Sequence, residues 1–213
     1  MKRVIIVGTG GHGEVVADIL KCCIRDGQQL NLLGFLDDDN KIHGKIFSGL
    51  SVLGSVEEID DIQHDSVIIA IGNNGTRQVI FEKLLKQDKN IISAVHPSSI
   101  IASDVKIGKG CVICAGVIIN TGSTIGHNVI LNTGCTIDHH NFINAHVHIA
   151  PGVHTGGDVT VGSGTLIGIG THVIPGKTIG NRCIVGGGAL VTKDFQDDVQ
   201  IIGSPARISR YLE

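Results

Sequence analysis

Hydrophobic residues in the second half of the chain recur at every sixth position from Ile101 to Val191, with Thr155 as the one exception. Fifteen of these sixteen positions are aliphatic, whereas a chain that is 42% hydrophobic would place about seven apolar residues in such a series. A helix repeats about every 3.6 residues and an open strand every two, so neither explains a period of six. The pattern predicts a parallel β-helix in which each hexapeptide is one short strand and one corner. The series is Ile101, Ile107, Ile113, Ile119, Ile125, Leu131, Ile137, Ile143, Ile149, Thr155, Val161, Ile167, Val173, Ile179, Val185 and Val191.

Glycine follows the recurring position in seven of these repeats, where a tight corner favours a residue without Cβ. The repeat resembles that of the hexapeptide acyltransferases, whose left-handed β-helix takes roughly eighteen residues per coil. On that resemblance, residues 101–191 form about five coils. Because the register never slips, we expect no long loop to leave the β-helix, and an acyl-donor site must then be built from corners and subunit contacts. The fold alone does not establish transferase activity, since the same architecture carries other chemistries.

The first ninety-six residues follow a different pattern, in which apolar strands alternate with helices. The alternation predicts a small parallel sheet of the Rossmann-like α/β type. The stretch is long enough for only half of a dinucleotide fold, which argues against a dehydrogenase. The predicted elements are strands at 4–7, 32–36, 67–71 and 91–95, a helix directly after the glycine-rich turn 8–13, and a second helix at 75–86.

Three polar loops are predicted at the carboxyl ends of these strands, where open α/β sheets bind their ligands. They are GTGGHG after the first strand, the acidic triplet that begins with Asp37 and Asp38 after the second, and Gly72-Asn73-Asn74 after the third. Each has a plainer explanation. The glycines permit a tight turn and close helix packing, acidic triplets are common in solvated turns, and Gly-Asn-Asn occurs in ordinary turns. The three loops together predict a phosphate or sugar site.

Composition narrows the class of protein. The net charge is only −3 with scattered Lys and Arg, so we expect neither a nucleic-acid nor a membrane partner. The apolar run at residues 4–7 is too short for a signal peptide or a spanning helix, and we predict a cytoplasmic protein. The six cysteines are expected to be free thiols. Cys111 and Cys114 have a spacing that suits zinc or redox chemistry, but both occupy packing positions of the repeat, so no metal is expected.

A more specific resemblance runs along essentially the whole chain. Its motifs resemble the sugar O- and N-acetyltransferases of the sialic acid O-acetyltransferase (NeuD) and bacillosamine-type (PglD) family. The resemblance implies transfer of acetyl from acetyl-CoA to an amino group of a nucleotide-activated sugar in polysaccharide biosynthesis, by a homotrimer with donor sites between subunits. Within that family, FLDDD and GNN favour UDP-linked 4-amino sugars. The motifs are GTGGHG, FLDDD, AIGNNGTR, HPSS, IDHHN, HVHIAPGVHTGG and GSPAR.

By this resemblance, residues 1–96 form the nucleotide-sugar-binding domain, residues 97–195 the β-helix that binds acetyl-CoA, and residues 196–213 a C-terminal tail. The Asp37-Asp38 pair would bind the uracil or ribose, and His12 would line the path of the diphosphate and sugar. The full set of substrate-binding residues that it implies is Gly10, Gly11, His12, Asp37, Asp38, Gly72 and Asn73.

The resemblance also implies that His139 is the general base, which takes a proton from the sugar amine as its nitrogen attacks the thioester. A neutral imidazole can accept that proton at cytoplasmic pH. Where many relatives carry a carboxylate at the next position, this chain has His140. Asp138 is the candidate for orienting the base, with Asn120 or Asn132 as substitutes. Strand alternation would put 138 and 140 on the face opposite 139.

Four further residues are implied on the acetyl-CoA side. His148 would lie near the thioester. Backbone N–H groups around Gly157 or Gly168 could hold the developing oxyanion. The implied cofactor-binding residues are His148, Gly157, Gly168 and Gly186.

Other functions stay open at this point. O-acetylation of sialic acid or another sugar falls within the same family. A zinc hydro-lyase like the γ-class carbonic anhydrases would use His154 and His172, which lie eighteen residues apart and would stack on successive coils. A non-catalytic sugar-nucleotide-binding subunit would explain why no carboxylate follows His139. Metal content and acetyl-CoA turnover distinguish these alternatives.

Overall fold

The structure is a computed structural model that describes residues 1–212. The chain forms two compact units, Met1–Pro97 and the described residues from Ser98 onward. No helix in this described part is long and apolar enough to cross a bilayer. The first unit contains β1 (Lys2–Val7), α1 (Gly11–Arg25), β2 (Leu30–Leu36), β3 (Ile46–Phe47), β4 (Leu50–Gly54), β5 (Ser66–Ile69), α2 (Asn74–Lys86) and β6 (Ala94–Val95), with 3-10 turns at Asn40–Ile42 and Val56–Asp61.

Five strands of the first unit form one sheet in the order β3-β4-β2-β1-β5. All neighbours are parallel except β3, which pairs antiparallel with β4 at the edge. Ile5 and Val7 of β1 pack in one apolar cluster with Phe81 and Leu84 of α2. By strand alternation, Val4 and Ile6 face the opposite side and are buried as well, so both faces of the central strand are covered. The predicted Rossmann-like arrangement is confirmed.

Sequence reasoning missed the hairpin of β3 and β4. Its turn is Ser48-Gly49, and both residues have positive φ, +47° and +72°. A two-residue turn with this backbone matches the twist of the flanking strands and favours Gly at its second position. A Ser-Gly pair between Phe47 and Leu50 was therefore the available signal.

The second unit is a parallel β-helix built from two-residue strands. Except in the last coil, each pairs with the strand eighteen residues further along, as Ile119 does with Ile137. The second residue of each strand is the one that recurs every six residues, and from Ile113 onward all of these residues are buried. The strands are β7 (Ile100–Ile101), β8 (Lys106–Ile107), β9 (Val112–Ile113), β10 (Ile118–Ile119), β11 (Thr124–Ile125), β12 (Ile130–Leu131), β13 (Thr136–Ile137), β14 (Phe142–Ile143), β15 (His148–Ile149), β16 (His154–Thr155), β17 (Thr160–Val161), β18 (Leu166–Ile167), β19 (His172–Val173), β20 (Thr178–Ile179), β21 (Ile184–Val185) and β22 (Leu190–Val191).

Every third strand belongs to the same sheet, so three sheets run along the coil axis. The segment predicted as a C-terminal tail contributes two more strands. β23 (Val199–Ile202) pairs parallel with β21, and β24 (Arg207–Tyr211) pairs antiparallel with β23. The last residue of that predicted segment, 213, lies outside the described residues.

Candidate active site

A cavity of about 520 Å³ lies at the carboxyl ends of β1, β2 and β5. Its walls come from the three polar loops that the sequence singled out, together with apolar side chains that sequence reasoning did not name, such as Val56 and Ile80. Six of the seven residues predicted to bind the substrate line it: Gly10, Gly11, His12, Asp37, Asp38 and Gly72. The seventh, Asn73, directly follows Gly72 and is the N-cap of α2.

The glycines of the first loop have two different roles. A Cβ on Gly13 would lie 2.2 Å from the carbonyl oxygen of Gly8, and Gly8 itself has φ +101°, so these two are required for the close approach of α1 to β1. A Cβ on Gly10 or Gly11 would meet nothing within 4 Å. Packing thus explains Gly8 and Gly13, whereas Gly10 and Gly11 leave the backbone open towards the cavity.

Both helices of the unit begin at this cavity. The N-cap of α1 is Gly10, which has no side chain to bond the exposed amides, and α2 begins at Asn74 with Thr76 in the cavity wall. The first N–H groups of a helix point outward at the positive end of its dipole and bind anions. The cavity therefore suits a ligand that carries phosphate.

The two predicted aspartates differ in their contacts. Asp37 joins two segments, because its Oδ2 accepts a hydrogen bond from the Thr9 amide at 2.8 Å and its Oδ1 accepts one from the Asp39 amide at 3.0 Å. Asp38 is exposed, and its Oδ1 accepts from the Val56 amide at 2.9 Å. Its Oδ2 makes no hydrogen bond to the described residues. Asp37 shapes the wall of the cavity, while Asp38 keeps one carboxylate oxygen for a ligand.

A buried arginine, missed by sequence reasoning, holds the third loop. Arg77 is fully buried in α2 and donates to the carbonyl oxygens of Ile71 and Gly72, both at 3.1 Å, and to Asn74 Oδ1 at 2.8 Å. The side chain of Asn73 accepts from the Thr76 amide at 2.9 Å and caps the helix. The periodicity of α2 gave no sign of this role, since an arginine at that position reads as a surface residue.

In the β-helix, His139 and His140 lie in the turn after β13, with their Nδ1 atoms 3.0 Å apart. A Cβ on Gly157 would lie 2.2 Å from Cε1 of His139, and one on Gly122 would lie 2.3 Å from Cδ2 of His140. Each ring thus occupies the space over a glycine of a neighbouring coil, eighteen residues away. The expectation that the two side chains lie on opposite faces is wrong, because β13 ends at Ile137 and His140 has a left-handed backbone with φ +55°.

A buried asparagine fixes the backbone of this turn. Nδ2 of Asn141 donates to the carbonyl oxygens of Asp138 at 2.8 Å, His139 at 3.2 Å and Gly156 at 2.9 Å. From the preceding coil, the Ser123 hydroxyl also donates to the Asp138 carbonyl, at 2.8 Å. These hydrogen bonds hold the backbone of the turn that carries the two histidine rings in one conformation.

Thr155, the exception in the six-residue series, pairs with Ile137 directly before the turn. Its hydroxyl lies 3.4 Å from the Asp138 amide nitrogen, which donates to it. Asn141 likewise stands where most repeats carry a small or apolar residue. Polar exceptions at interior positions of the repeat were therefore the sequence signal for this turn.

Acidic side chains surround the two rings. The Asp138 carboxylate accepts from Asn120 Nδ2 and from the His139 amide, both at 2.8 Å, and these hydrogen bonds, Asn120 first, lower the pKa of Asp138. Asp138 thus bonds the backbone of His139 rather than its ring. Asp158, on the next coil, places Oδ2 at 4.0 Å from Nδ1 of His139. On the other side, hydrogen bonds from the Thr121 hydroxyl and the Gly122 amide lower the pKa of Asp104, which faces His140.

The three glycines assigned to acetyl-CoA differ in their backbone amides. The Gly168 N–H donates to the Val185 carbonyl at 2.8 Å, and the Gly186 N–H donates to the Ile201 carbonyl at 2.7 Å. Both amides therefore belong to the ladder between coils. The N–H of Gly157 donates to no described residue, and Gly157 lies under the His139 ring. Of the predicted oxyanion donors, Gly157 is the one whose amide remains available.

His148, assigned to the thioester, is the first residue of β15 and half-buried. Its Nε2 lies 3.3 Å from Nδ2 of Asn132, a contact that orients the ring. Asn132 is one of the two asparagines predicted as substitutes for orienting His139. Its side chain instead contacts His148 and accepts a hydrogen bond from the Thr133 amide.

Two groups of residues bear on metal chemistry. Burial raises the pKa of the Cys114 thiol to about 11 and that of Cys135 to about 12, so these thiols stay protonated at neutral pH. His154 and His172 stack with ring centroids 5.3 Å apart, but neither belongs to a group of three possible metal ligands within residues 1–212.

Ligand-type atoms of three residues, His139, His140 and Asp158, do lie within 4.8 Å of one another. All three are exposed, and their side chains contact one another at 3.0 Å between the two Nδ1 atoms and at 4.0 Å between Nδ1 of His139 and Oδ2 of Asp158. Exposed groups of this kind are common without a metal ion.

Comparison with known proteins agrees with both units. Residues 3–84 match the PglD N-terminal domain family. A UDP-N-acetylbacillosamine N-acetyltransferase from Bacillus subtilis is 37% identical over 119 residues, or 54% of this chain. This match spans 52% of that curated relative, about half of its length.

Solved structures cover the whole fold. A mutant of perosamine N-acetyltransferase from Caulobacter crescentus, in complex with CoA and GDP-perosamine, is 33% identical with a TM-score of 0.91, over 99% of this chain and 98% of that chain. The acetyltransferase domain of PglB from Neisseria gonorrhoeae, in complex with acetyl coenzyme A, is 28% identical with a TM-score of 0.89, over 97% of this chain and 98% of that chain. The predicted order of a Rossmann-like unit followed by a left-handed β-helix is confirmed.

Proposed function

The chain belongs to the PglD-type sugar N-acetyltransferases of the hexapeptide-repeat superfamily, and on that premise we propose that it moves the acetyl group of acetyl-CoA to the amino group of a nucleotide-activated sugar. One observation carries the proposal. The exposed ring of His139 lies against Gly157, whose N–H donates to no described residue, so a proton acceptor and a candidate oxyanion donor belong to neighbouring residues of adjacent coils. A general base and an oxyanion donor are groups that accelerate aminolysis of a thioester.

The proposed reaction is a direct attack. The amine nitrogen of the sugar forms a bond to the thioester carbonyl carbon, and Nε2 of His139 takes the proton that the nitrogen gives up. The Gly157 N–H donates to the carbonyl oxygen as it gains negative charge. The C–S bond then breaks, and the CoA thiolate leaves and recovers the proton from His139. Asp138 supports the base through the backbone amide of His139.

The cavity in the first unit is the proposed nucleotide-sugar site. Its size, the two helix N-termini and the open backbone at Gly10 and Gly11 support a diphosphate ligand, and Asp38 has a carboxylate oxygen to accept from a base or ribose. One named relative is a UDP-N-acetylbacillosamine N-acetyltransferase, and another binds GDP-perosamine. We favour a UDP-linked 4-amino sugar for this chain.

The enzyme is proposed to act as a cytoplasmic homotrimer in polysaccharide biosynthesis. Large apolar side chains lie exposed on the β-helix, with Ile100, Phe142 and Ile169 each more than half exposed, and self-association would cover such residues. The six free thiols suit a reducing compartment. Sedimentation velocity at micromolar concentration tests the assembly, and a fully active monomer would contradict it.

The test of the reaction is acetyl-CoA consumption with a panel of UDP-amino, GDP-amino and dTDP-amino sugars and free sialic acid. We expect turnover with an amino sugar and an N-acetyl product by mass spectrometry. Turnover with sialic acid alone would favour O-acetylation. No CoA release with any acceptor would favour a binding subunit instead.

A further inference from the structure

His139 has no carboxylate at the next position, yet its Nδ1 atom has two polar neighbours. Nδ1 of His140 lies at 3.0 Å and Oδ2 of Asp158 at 4.0 Å. His140 is an imidazole that can accept a hydrogen bond in its neutral form, and Asp158 is a carboxylate that carries a negative charge. They come from different coils, and neither was assigned by sequence reasoning.

The coil register brings the acid to this point. Asp158 lies eighteen residues after His140, and both have left-handed backbones, with φ +59° and +55°. The Asp158 amide donates to the His139 carbonyl at 2.9 Å, which fixes the position of the aspartate beside the ring. Because successive coils stack with a period of eighteen residues, the Asp158 carboxylate lies beside the His139 ring, where a carboxylate at position 140 would lie in many relatives.

The proton on the base follows from this geometry. A histidine that accepts a proton at Nε2 must carry its resting proton on Nδ1, and the tautomer is set by the bond that the other nitrogen makes. Two ring nitrogens 3.0 Å apart share a hydrogen bond only if one of them carries a proton. Neutral His140, with its proton on Nε2, offers a lone pair at Nδ1 to accept from His139.

Once His139 takes a second proton, its ring becomes a cation. The Asp158 carboxylate at 4.0 Å is the near negative charge on the side of Nδ1. The other charged groups that face the pair are Asp138, beside the His139 amide, and Asp104, which faces His140 from the preceding coil. His140 must stay neutral while His139 is charged, because two imidazolium rings in this contact would repel each other.

We infer that His140 and Asp158 are positioning residues that divide between them the work of one carboxylate: His140 holds the proton of His139 on Nδ1, and Asp158 stabilises the cation that forms in the reaction. The inference rests on the proposed function for its kinetic consequences. The tautomer of His139 is independent of that function.

The kinetic test is Asp158→Asn, which removes the charge and keeps a residue that tolerates positive φ. We expect kcat to fall by about ten- to a hundredfold, the range known for losing the outer partner of a metal-ligating histidine, with KM for both substrates little changed. The acidic limb of the rate–pH profile should move to lower pH, because the imidazolium loses its counter-charge. Asp88→Asn is the matched control, since Asp88 is also exposed with φ +53° and lies in the first unit.

A second background separates this role from a structural one. In His140→Glu, a carboxylate stands beside the base, so Asp158→Asn should cost less than about threefold there, because coupled residues are not additive. An equal loss of kcat in both backgrounds, or an unchanged pH profile in Asp158→Asn, overturns the division of roles. Activity abolished by EDTA and restored by zinc would mean that the three groups bind a metal, and would overturn it as well.

The third measurement does not depend on turnover. Long-range ¹H–¹⁵N spectra of the histidine rings should show the neutral His139 protonated at Nδ1 in the native chain and shifted towards Nε2 in His140→Ala. Native His139 protonated at Nε2 contradicts the inference even if the enzyme is active. If Nδ1 is protonated but no acceptor is acetylated, the proposed function fails and the inferred tautomer stands.

Discussion

The cavity of the first unit and the histidine turn of the β-helix both depend on glycine, but in opposite ways. At Gly10 and Gly11 the space that a side chain would fill is left empty, so the backbone itself is presented to a ligand. At Gly157 and Gly122 that space is filled by the rings of His139 and His140. The first arrangement suits binding of an anion by main-chain amides, and the second suits a side chain held in one orientation. On the proposed function, recognition belongs to the first unit and chemistry to the second.

The strongest test of that division is His139→Asn. Without a proton acceptor, kcat should fall by about a hundred- to ten-thousandfold, while the dissociation constants of both substrates stay nearly constant. Isothermal titration and steady-state kinetics measure the two quantities separately. His172→Asn, which changes another exposed histidine of the β-helix, is the control and should leave kcat unaltered. A comparable loss of nucleotide-sugar affinity in His139→Asn would contradict the separation of binding and chemistry between the two units.

Alanine substitutions at two of the glycines set the units against each other directly. In Gly157→Ala the new Cβ would overlap the His139 ring, and we expect kcat to fall by about a hundredfold, since a displacement of about 1 Å in a reacting group has that cost. In Gly11→Ala nothing in the protein is displaced, so the expected effect is a higher KM for the nucleotide sugar with an unchanged kcat. The assignment fails if the two variants show the same pattern.

The two aspartates of the cavity offer a smaller and more local contrast. Asp38→Ala should weaken nucleotide-sugar binding by about 1.5–3 kcal/mol, the range for a hydrogen bond to a charged group. Asp37→Ala removes the acceptor of the Thr9 amide, so it should lower the melting temperature as well as the affinity. Calorimetric scans of both variants beside binding titrations distinguish the two outcomes. Asp38→Ala removes the acceptor of the Val56 amide, so each variant is compared with the native chain. A native melting temperature in Asp37→Ala would mean that Asp37 is not a structural link.

The smallest expected effect concerns stability alone. Arg3 donates to Asp65 near the amino end of the central sheet, and these hydrogen bonds keep the pKa of Asp65 well below its usual range. A carboxyl with a depressed folded-state pKa stabilises the fold above its unfolded pKa, near ~3.9, and that contribution is lost as the pH falls through the folded value. Asp65→Asn should therefore lower the melting temperature by a few degrees at most at pH 7, and by less below about pH 4. Neither substrate affinity should change.

The sequence was most informative where a feature repeats. The six-residue period predicted the strands of the β-helix, because each aliphatic residue fills the same interior position of a coil. The carboxyl ends of β1, β2 and β5 likewise brought Gly11, Asp38 and Gly72 to one cavity, since the site of an open α/β sheet follows from its topology. Both predictions needed only local pattern and connectivity.

The sequence was least informative where a contact crosses coils or follows a single turn. No pattern along the chain joins His139 to Asp158, because their proximity depends on the stacking of two coils and on two left-handed residues. The expectation that residues 138 and 140 face away from 139 was wrong, because it applied strand alternation to residues that follow the end of β13. Arg77 was missed for a related reason, as burial of a guanidinium depends on the carbonyl oxygens of a loop that folds back over it.

The eighteen-residue spacing of the histidines and their glycines limits how this region can change in length. His139 lies over Gly157 and His140 lies over Gly122, one coil in each direction. A substitution at any of these positions alters one contact, but the insertion or deletion of a single residue between 122 and 157 would shift the rings off their glycines unless a corner bulged to absorb it. Relatives that keep this chemistry are therefore expected to differ in length outside this window, and insertions within it should coincide with a different arrangement of the base.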